Sequence, residues 1–236
     1  PLKSLPGIVR TNIKPSEIMI FMVVTPEILE YAQYSIEINR NYCEEHGYAF
    51  EIVDKNLTPD LPINFSKIQA VLNYLNKGYK YVMHVDADAI FIRKTYPVTN
   101  IIEKYFTGLT SFIVSEDCYS KDICSKPGRM NSGIFIVKNN KAGKGIIEKW
   151  LSAARGSCKK YTKKFPNCQL VFFHCVRYSI FSIFIKLVPY NLLNGKDGLF
   201  IKHYMQHHNN KRRDILKSKL ESDQEFQKGN KRLPVF

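Results

Sequence analysis

Residues 18–24 read Ile-Met-Ile-Phe-Met-Val-Val and stop at Thr25-Pro26. A strand with one wet face alternates apolar and polar residues. An unbroken apolar run of this kind is therefore read as a strand covered on both faces, the signature of a parallel sheet between layers of helix. The next segment has the matching periodicity. Pro26 opens a helix whose apolar residues Ile28, Leu29, Ala32, Ile36 and Ile38 recur at roughly helical spacing up to Cys43, with His46-Gly47 as its stop. Segment 49–53 returns as a second strand. Segment 66–76 carries Ile68, Val71, Leu72 and Leu75 on one helical face with Gly78 past its end, and 81–85 is a third strand. Repetition of buried strand and amphipathic helix predicts βαβ units with right-handed crossovers. Ligands in open sheets of this type gather at the carboxyl ends of the strands.

Segments 111–115 and 133–137 are predicted strands on either side of a polar loop, 116–130, which contains Pro127-Gly128 and is placed to cover a site. A helix over 145–154, a basic connection, a helix over 168–178 and a strand over 184–188 complete the globular part. The expected fold class is α/β, one Rossmann-like domain with a mostly parallel central sheet flanked by helices. It spans 17–210, between an N-terminal extension, 1–16, and a basic tail, 211–236, read as mobile at its end. At 236 residues a second independent core would be a tight fit.

Thirty-five Lys and Arg against 21 Asp and Glu leave a formal charge of +14, which favours anionic partners: phosphates, nucleic acid or acidic glycans. Five of the basic residues fall between Arg155 and Lys164 with no acid among them, and this run reads as a solvated face or a membrane-surface patch. The longest apolar candidate, 180–188, is short and broken by Ser182 and Lys186, so no membrane-spanning helix is expected. The six cysteines form no CxxC pair, which argues against structural zinc; Cys118 and Cys124 share the polar loop and are the candidate bridge.

Asp86-Ala87-Asp88 follows the third strand and precedes another apolar run. If the chain stays extended, the two carboxylates project on the same side. Burying both without partners would cost several kcal/mol. A divalent cation is the economical partner, because hard oxygen ligands suit magnesium or manganese and the same cation can bind a diphosphate. The alternative is a pair of carboxylates that cap turns or pair with Lys and Arg.

Several ordered segments now resemble one family: IMIFMVVT with a helix ending NYCEEHGYAFEIV, Lys67 in SKIQAVLNYL, HVDADAIF, NSGIFIVKNN with a helix ending at Trp150, and His203 in LFIKHYMQHH. They are similar to the nucleotide-sugar transferases of the GT-A fold, in particular the galactosyl- and xylosyltransferases related to the yeast mannan and plant xyloglucan enzymes. The resemblance covers roughly residues 17–215. It implies a glycosyltransferase that takes a nucleotide-diphosphate sugar, UDP-linked, as donor and a carbohydrate or glycoconjugate as acceptor, with Mn2+ or Mg2+ as cofactor and no specific nucleic acid.

Residue by residue, the resemblance implies that Asp88 and His203 ligate the metal, with Asp86 at the nucleotide ribose or a second metal position. His207 and His208 compete with His203, which is preferred because it directly ends the apolar run Leu199-Phe200-Ile201. Lys67 would hold donor phosphate or sugar oxygens, against the alternative of a solvated helix lysine. Asn131 and Ser132 would line the sugar pocket, with Gly133 allowing close backbone approach. Lys211 and Arg212 would neutralise the leaving diphosphate, and the Thr25 backbone would contact the base. One departure is visible: Gln169 matches the family, but the acid that often precedes it is Cys168 here. Asp117 and Glu116 are the nearby acids available as a base if the reaction inverts configuration. The rival readings are a nucleotidyltransferase, which would open with a Gly-rich loop, a basic nucleic-acid-binding module, and a catalytically inert relative. Opening on proline without a signal-peptide pattern, the sequence is read as a piece whose targeting segment or anchor lies outside it, and a Golgi lumen and a viral or microbial cytoplasm both stay open.

Overall fold

The first apolar run becomes β1 (Ile18–Val23), and its alternate residues serve two separate cores. Ile18, Ile20 and Met22 face one, Met19 and Phe21 the other, and all five are fully buried. Burial of each such side chain stabilises by about 1.5–3 kcal/mol, so neither face of the strand has room for a polar residue. The computed structural model describes residues 2–117, 129–195, 197–205 and 207–230.

After a 3-10 turn over Pro26–Ile28, helix α1 (Leu29–His46) runs to Gly47, whose φ of 72° provides the left-handed stop that the His46-Gly47 pair predicts. Strand β2 (Ala49–Val53), helix α2 (Ser66–Asn76) and strand β3 (Tyr81–Val85) follow within a residue of their predicted bounds. Both β2 and β3 pair parallel with β1, one on each side. The chain moves one way from β1 to β2 and the other way to β3, so right-handed crossovers put the two helices on opposite faces. Residues of α1 accordingly pack in the first core and residues of α2 in the second.

The stretch after β3 leaves the sheet. Strand β4 (Ala89–Phe91) and helix α3 (Val98–Tyr105) lie on the α1 side, then β5 (Phe112–Glu116) and β6 (Met130–Lys138) re-enter the sheet. Helices α4 (Lys141–Arg155) and α5 (Asn167–Cys175) cover its second face, and β7 (Ile185–Val188) closes its edge. The sheet order is β2-β1-β3-β6-β5-β7, parallel except for β6, which runs antiparallel to both neighbours. A short helix α6 (Tyr190–Leu193), strand β8 (Ile201–His203) and helix α7 (Asn209–Asn230) end the described chain, and β8 pairs antiparallel with β4 in a separate two-stranded sheet. Among the described residues no helix is long and apolar enough to cross a membrane.

Several bounds differ from the sequence expectation for identifiable reasons. Strand β6 begins at Met130 rather than 133, because a register shift at Val114/Ser115 lets β5 keep pairing back to Met130. Asn131 and Ser132 are thus strand residues. Helix α4 starts four residues before 145: Asn140 caps it by accepting from the Gly143 N–H at 2.8 Å, and a Cβ at 143 would strike the Lys138 carbonyl, so that glycine is a packing requirement rather than a helix breaker. The expected division at 210/211 falls inside α7. Leu216 and Leu220 of α7 are buried in the first core, and Gln224 reaches Glu37 of α1, so the basic tail is part of the domain as far as it is described. The N-terminal extension is likewise tied down, with Leu2 exchanging two backbone bonds with the Asn191 side chain.

The bridge expected between Cys118 and Cys124 lies outside the described residues. The sequence signal missed another pair: Cys158 and Cys175, 17 residues apart, are joined by a disulfide. It ties the end of α4 to the end of α5. Replacing both by Ser should lower unfolding stability by about 3 kcal/mol, the loop-closure value for a ring of this size, as read by chemical denaturation with and without reductant.

Candidate active site

Three segments far apart in sequence meet where β3 ends. Asp86 is the first residue beyond the strand, and its N–H donates to the Gly133 carbonyl of β6 at 2.9 Å. The Ala89 N–H then donates to the Asp86 carbonyl at 3.0 Å, closing a turn through Ala87 and Asp88. The Asp-Ala-Asp segment is therefore not extended, contrary to the sequence expectation, and the turn is what sends β4 out of the main sheet. Pairing of β4 with β8 sets Ala89 opposite His203, and the Tyr204 N–H donates to the Asp88 carbonyl at 2.9 Å. Backbone register, not local spacing, puts the imidazole beside both acids.

His203 Nε2 lies 2.9 Å from Asp88 Oδ1 and 3.7 Å from Asp86 Oδ2. One ligand atom from each of Asp86, Asp88 and His203 falls within 4.8 Å of the others. Two carboxylates and an imidazole converging at that separation suit a divalent cation of the manganese or magnesium type. Among the described residues, this is the cluster of that kind. His207 is half-buried and His208 exposed, and neither joins it.

The surrounding groups hold this arrangement in place. His203 Nδ1 donates to Asn194 Oδ1 at 2.8 Å, which fixes the ring and leaves Nε2 as the ligand atom. Asn194, 2 % exposed, had no sequence signature, since a lone Asn before Gly reads as a turn. Arg212 Nη2 contacts Asp88 Oδ2 at 3.1 Å and also donates to the Met205 carbonyl, with its guanidinium over the Tyr31 ring. Lys67, expected either at the donor or in solvent, is buried: its Nζ donates to Asp86 Oδ1 at 3.1 Å and to the Ser132 carbonyl at 2.9 Å. Gly133 is what lets β6 pass so near. A Cβ there would lie 2.7 Å from Asp86 Oδ2 and 2.8 Å from Asn131 Oδ1, and would collide with His203 Cε1.

Charge follows from these neighbours. Burial pulls the His203 imidazolium down, but Asp88 and Asp86 outweigh it and hold its pKa above the ordinary histidine value. Burial pushes the Asp88 carboxyl up, and His203 with Arg212 more than reverses this, leaving it below the usual range. For Lys67, burial again opposes and Asp86 prevails, so the ammonium stays charged. His84, near the end of β3, is the contrary case: burial and then Lys67 hold it well below the ordinary value, and neither ring nitrogen has a hydrogen-bond partner among the described residues.

The site opens into a cavity of about 1110 Å³, lined by Thr25, Lys67, Asn131, Ser132, Gly133, Gln169 and Arg212 as well as the three acid and imidazole groups. Lys211 does not line it and is exposed. On the far wall, Gln169 Oε1 accepts from the Ser132 N–H at 3.1 Å, while its Nε2 donates to Asp117 Oδ2 at 3.1 Å. The acid missing beside Gln169 in sequence is thus met in space by Asp117, from the end of β5. Asp117 is 7 % exposed, its Oδ1 has no hydrogen-bond partner among the described residues, and burial raises its pKa despite Asn131 and Gln169. Glu116 is exposed.

Because Asn194 acts only through His203, Asn194→Ala should weaken Mn2+ binding about 10- to 100-fold while leaving Asp86 and Asp88 in place. Titration of Mn2+ by electron paramagnetic resonance would measure this, and unchanged affinity would show that the ring needs no such support.

The α/β sheet, with Asp86, Asp88 and His203 gathered beyond the end of β3, has the architecture of the GT-A transferases. The sequence profile of the nucleotide-diphospho-sugar transferase family matches residues 61–224, and the chain belongs to that family. It is a glycosyltransferase, so the nucleotidyltransferase and nucleic-acid readings give way. The profile of the galactosyl transferase GMA12/MNN10 family matches residues 14–106. No curated protein sequence matches this chain. Among solved structures, a glycosyltransferase involved in glycosylation of the major capsid of PBCV-1 is similar over 85 % of this chain and 98 % of its own, at 16 % identity and a TM-score of 0.68. The galactosyltransferase LgtC, in complex with donor and acceptor sugar analogues, is similar over 85 % of this chain and 95 % of its own, at 11 % identity and a TM-score of 0.55. At such identities these likenesses speak for the fold alone.

Proposed function

We propose that this chain transfers a glycosyl group from a nucleotide-diphosphate sugar, with UDP-sugars as first candidates, to a hydroxyl of a glycan or glycoconjugate. The reaction depends on Mn2+ or Mg2+ and retains anomeric configuration. The observation that carries this reading is the convergence of Asp86, Asp88 and His203 in a cavity that also holds the buried Lys67. When bound there, a divalent cation neutralises charge on the diphosphate as the glycosidic bond breaks.

The chain's own groups divide the remaining work. An ammonium has three donors, and Lys67 spends two on Asp86 and Ser132, leaving one for a donor oxygen. Arg212 holds the second oxygen of Asp88, which orients that carboxylate rather than serving the diphosphate directly. Thr25, two residues beyond β1, is assigned to the base, and Asn131, Ser132 and Gln169 to the sugar; that all four line the cavity supports this assignment. For retention, the acceptor hydroxyl approaches from the face the diphosphate leaves, and its proton passes to the departing phosphate. No carboxylate nucleophile is required.

Asp117 favours a second reading, inversion, with its Oδ1, which has no partner among the described residues, as the base for the acceptor hydroxyl. The deciding experiment is a screen of nucleotide sugars with Mn2+ for slow donor hydrolysis, followed by NMR of the anomeric proton in the first transfer product. An α-linked product from an α-linked donor supports retention. A β-linked product, with a loss of about 10²-fold or more in Asp117→Asn, would replace it by inversion.

A further inference from the structure

Between Glu148 and Asp197 the chain carries no Asp or Glu, yet it holds nine Lys and Arg. Arg155 is spoken for by Asp60, with Nε to Oδ2 at 2.7 Å; Lys159, Lys160, Lys163 and Lys164 lie on the turn before α5, and Arg177 just after the helix. The same region concentrates exposed apolar side chains. Among the described residues eight large hydrophobic side chains are exposed, and four lie within 165–183: Phe165 at 90 %, Ile180 at 84 %, Ile183 at 64 % and Tyr178 at 61 %.

Contacts join these segments. The Cys158–Cys175 disulfide ties the lysine-rich turn to the end of α5, and the Tyr161 ring stacks on His174 with centroids 4.3 Å apart. Phe173 meets Tyr178 edge to face at 5.6 Å. The Lys160 ammonium lies over the Tyr161 ring and the Arg177 guanidinium over Tyr178. Phe165, Pro166, Phe173 and His174 also line the cavity, so this patch adjoins its rim.

We infer that this face docks on the surface of an anionic lipid bilayer. Protruding apolar side chains insert at the level of the headgroups, aromatic rings settle at the same depth, and flanking lysines are drawn to anionic lipids. No acid of segment 149–196 opposes that attraction. A nucleic acid would satisfy the lysines, but it stacks on rings and gains nothing from Ile180 and Ile183, the two aliphatic side chains held out in water. Docking here turns the cavity rim toward the membrane. On the glycosyl-transfer reading, it would bring a membrane-borne acceptor to the site.

The test uses the full chain, sedimented with vesicles of phosphatidylcholine alone and of phosphatidylcholine mixed with phosphatidylserine. The expected result is binding to the mixed vesicles that raised salt weakens. The pairs Ile180→Ser/Ile183→Ser and Lys163→Glu/Lys164→Glu should each lower partitioning about tenfold or more. Donor hydrolysis in solution should stay at the wild-type rate in both pairs, which separates this surface from the transfer chemistry. Absence of binding, equal binding to both vesicle types, or wild-type partitioning by either pair would overturn the inference. Retention of a single-stranded oligonucleotide by the wild type and the isoleucine pair alike, with vesicles ignored, would reassign the face to nucleic acid.

Discussion

Asp88→Asn should reduce Mn2+-dependent donor hydrolysis about 10³-fold, the rate equivalent of the several kcal/mol a bound cation supplies to a developing diphosphate charge. Asparagine is the sharper substitution than alanine. Asp88 is paired with both His203 and Arg212, and deleting a buried partner outright would cost about 3–5 kcal/mol of stability and confuse a folding defect with a chemical one. Mn2+ should raise the melting temperature of the wild type and leave Asp88→Asn unmoved, because only a state that binds the ion is stabilised by it. The same measurement has a pH signature. His203 is held above the ordinary histidine pKa by the two carboxylates, so in the metal-free protein it keeps its proton to higher pH than a free histidine. Ligation needs the neutral ring, and binding must release that proton. Affinity for Mn2+ should therefore rise about tenfold per pH unit up to the His203 pKa and level off above it. Calorimetry in buffers of different ionisation enthalpy reads the released proton directly. A flat pH profile with full activity in Asp88→Asn would remove the cation from the site.

Gly133→Ala should cost about 10²-fold in donor hydrolysis with only about 1–3 kcal/mol in stability. The glycine has no positive φ to protect, so an alanine fits the strand backbone without strain. What its methyl group meets is functional: Asp86 Oδ2, Asn131 Oδ1 and His203 Cε1 all occupy the space it needs. These are side-chain rather than backbone atoms, so making room for the methyl group breaks the hydrogen bonds that hold the site and leaves the rest of the fold in place. Paired thermal melts and hydrolysis rates check this. If Gly133→Ala hydrolyses donor within fivefold of the wild type, the Asp86 and His203 positions in this structure are not the working ones.

Much of the scaffold was legible from residue order because burial leaves a one-dimensional trace. A strand covered on both faces must be apolar throughout, and 18–24 is; a helix covered on one face must repeat at 3.6, and 66–76 does. The reading set β6 and α4 too short, because long-range pairing with β5 and the Asn140 cap extend them toward the N-terminus. Arg212 belongs to the site as expected, but with a different immediate partner. A basic residue near a phosphate site invites the diphosphate, and only the approach of α7 to Asp88 shows the carboxylate taking that charge first.

The Asp-Ala-Asp triplet marks the division. Its residue types and its place after a buried strand put two carboxylates at the carboxyl end of a sheet strand without coordinates. Spacing along one chain cannot say that a turn folds Asp88 back toward β8, that β4 and β8 pair to seat His203 opposite Ala89, or that Asn194 and Asp117 arrive from other elements. Such contacts depend on backbone hydrogen bonds between segments distant in the chain, as from the Tyr204 N–H to the Asp88 carbonyl, and every residue type but proline can both donate and accept there, so they leave no mark in the sequence.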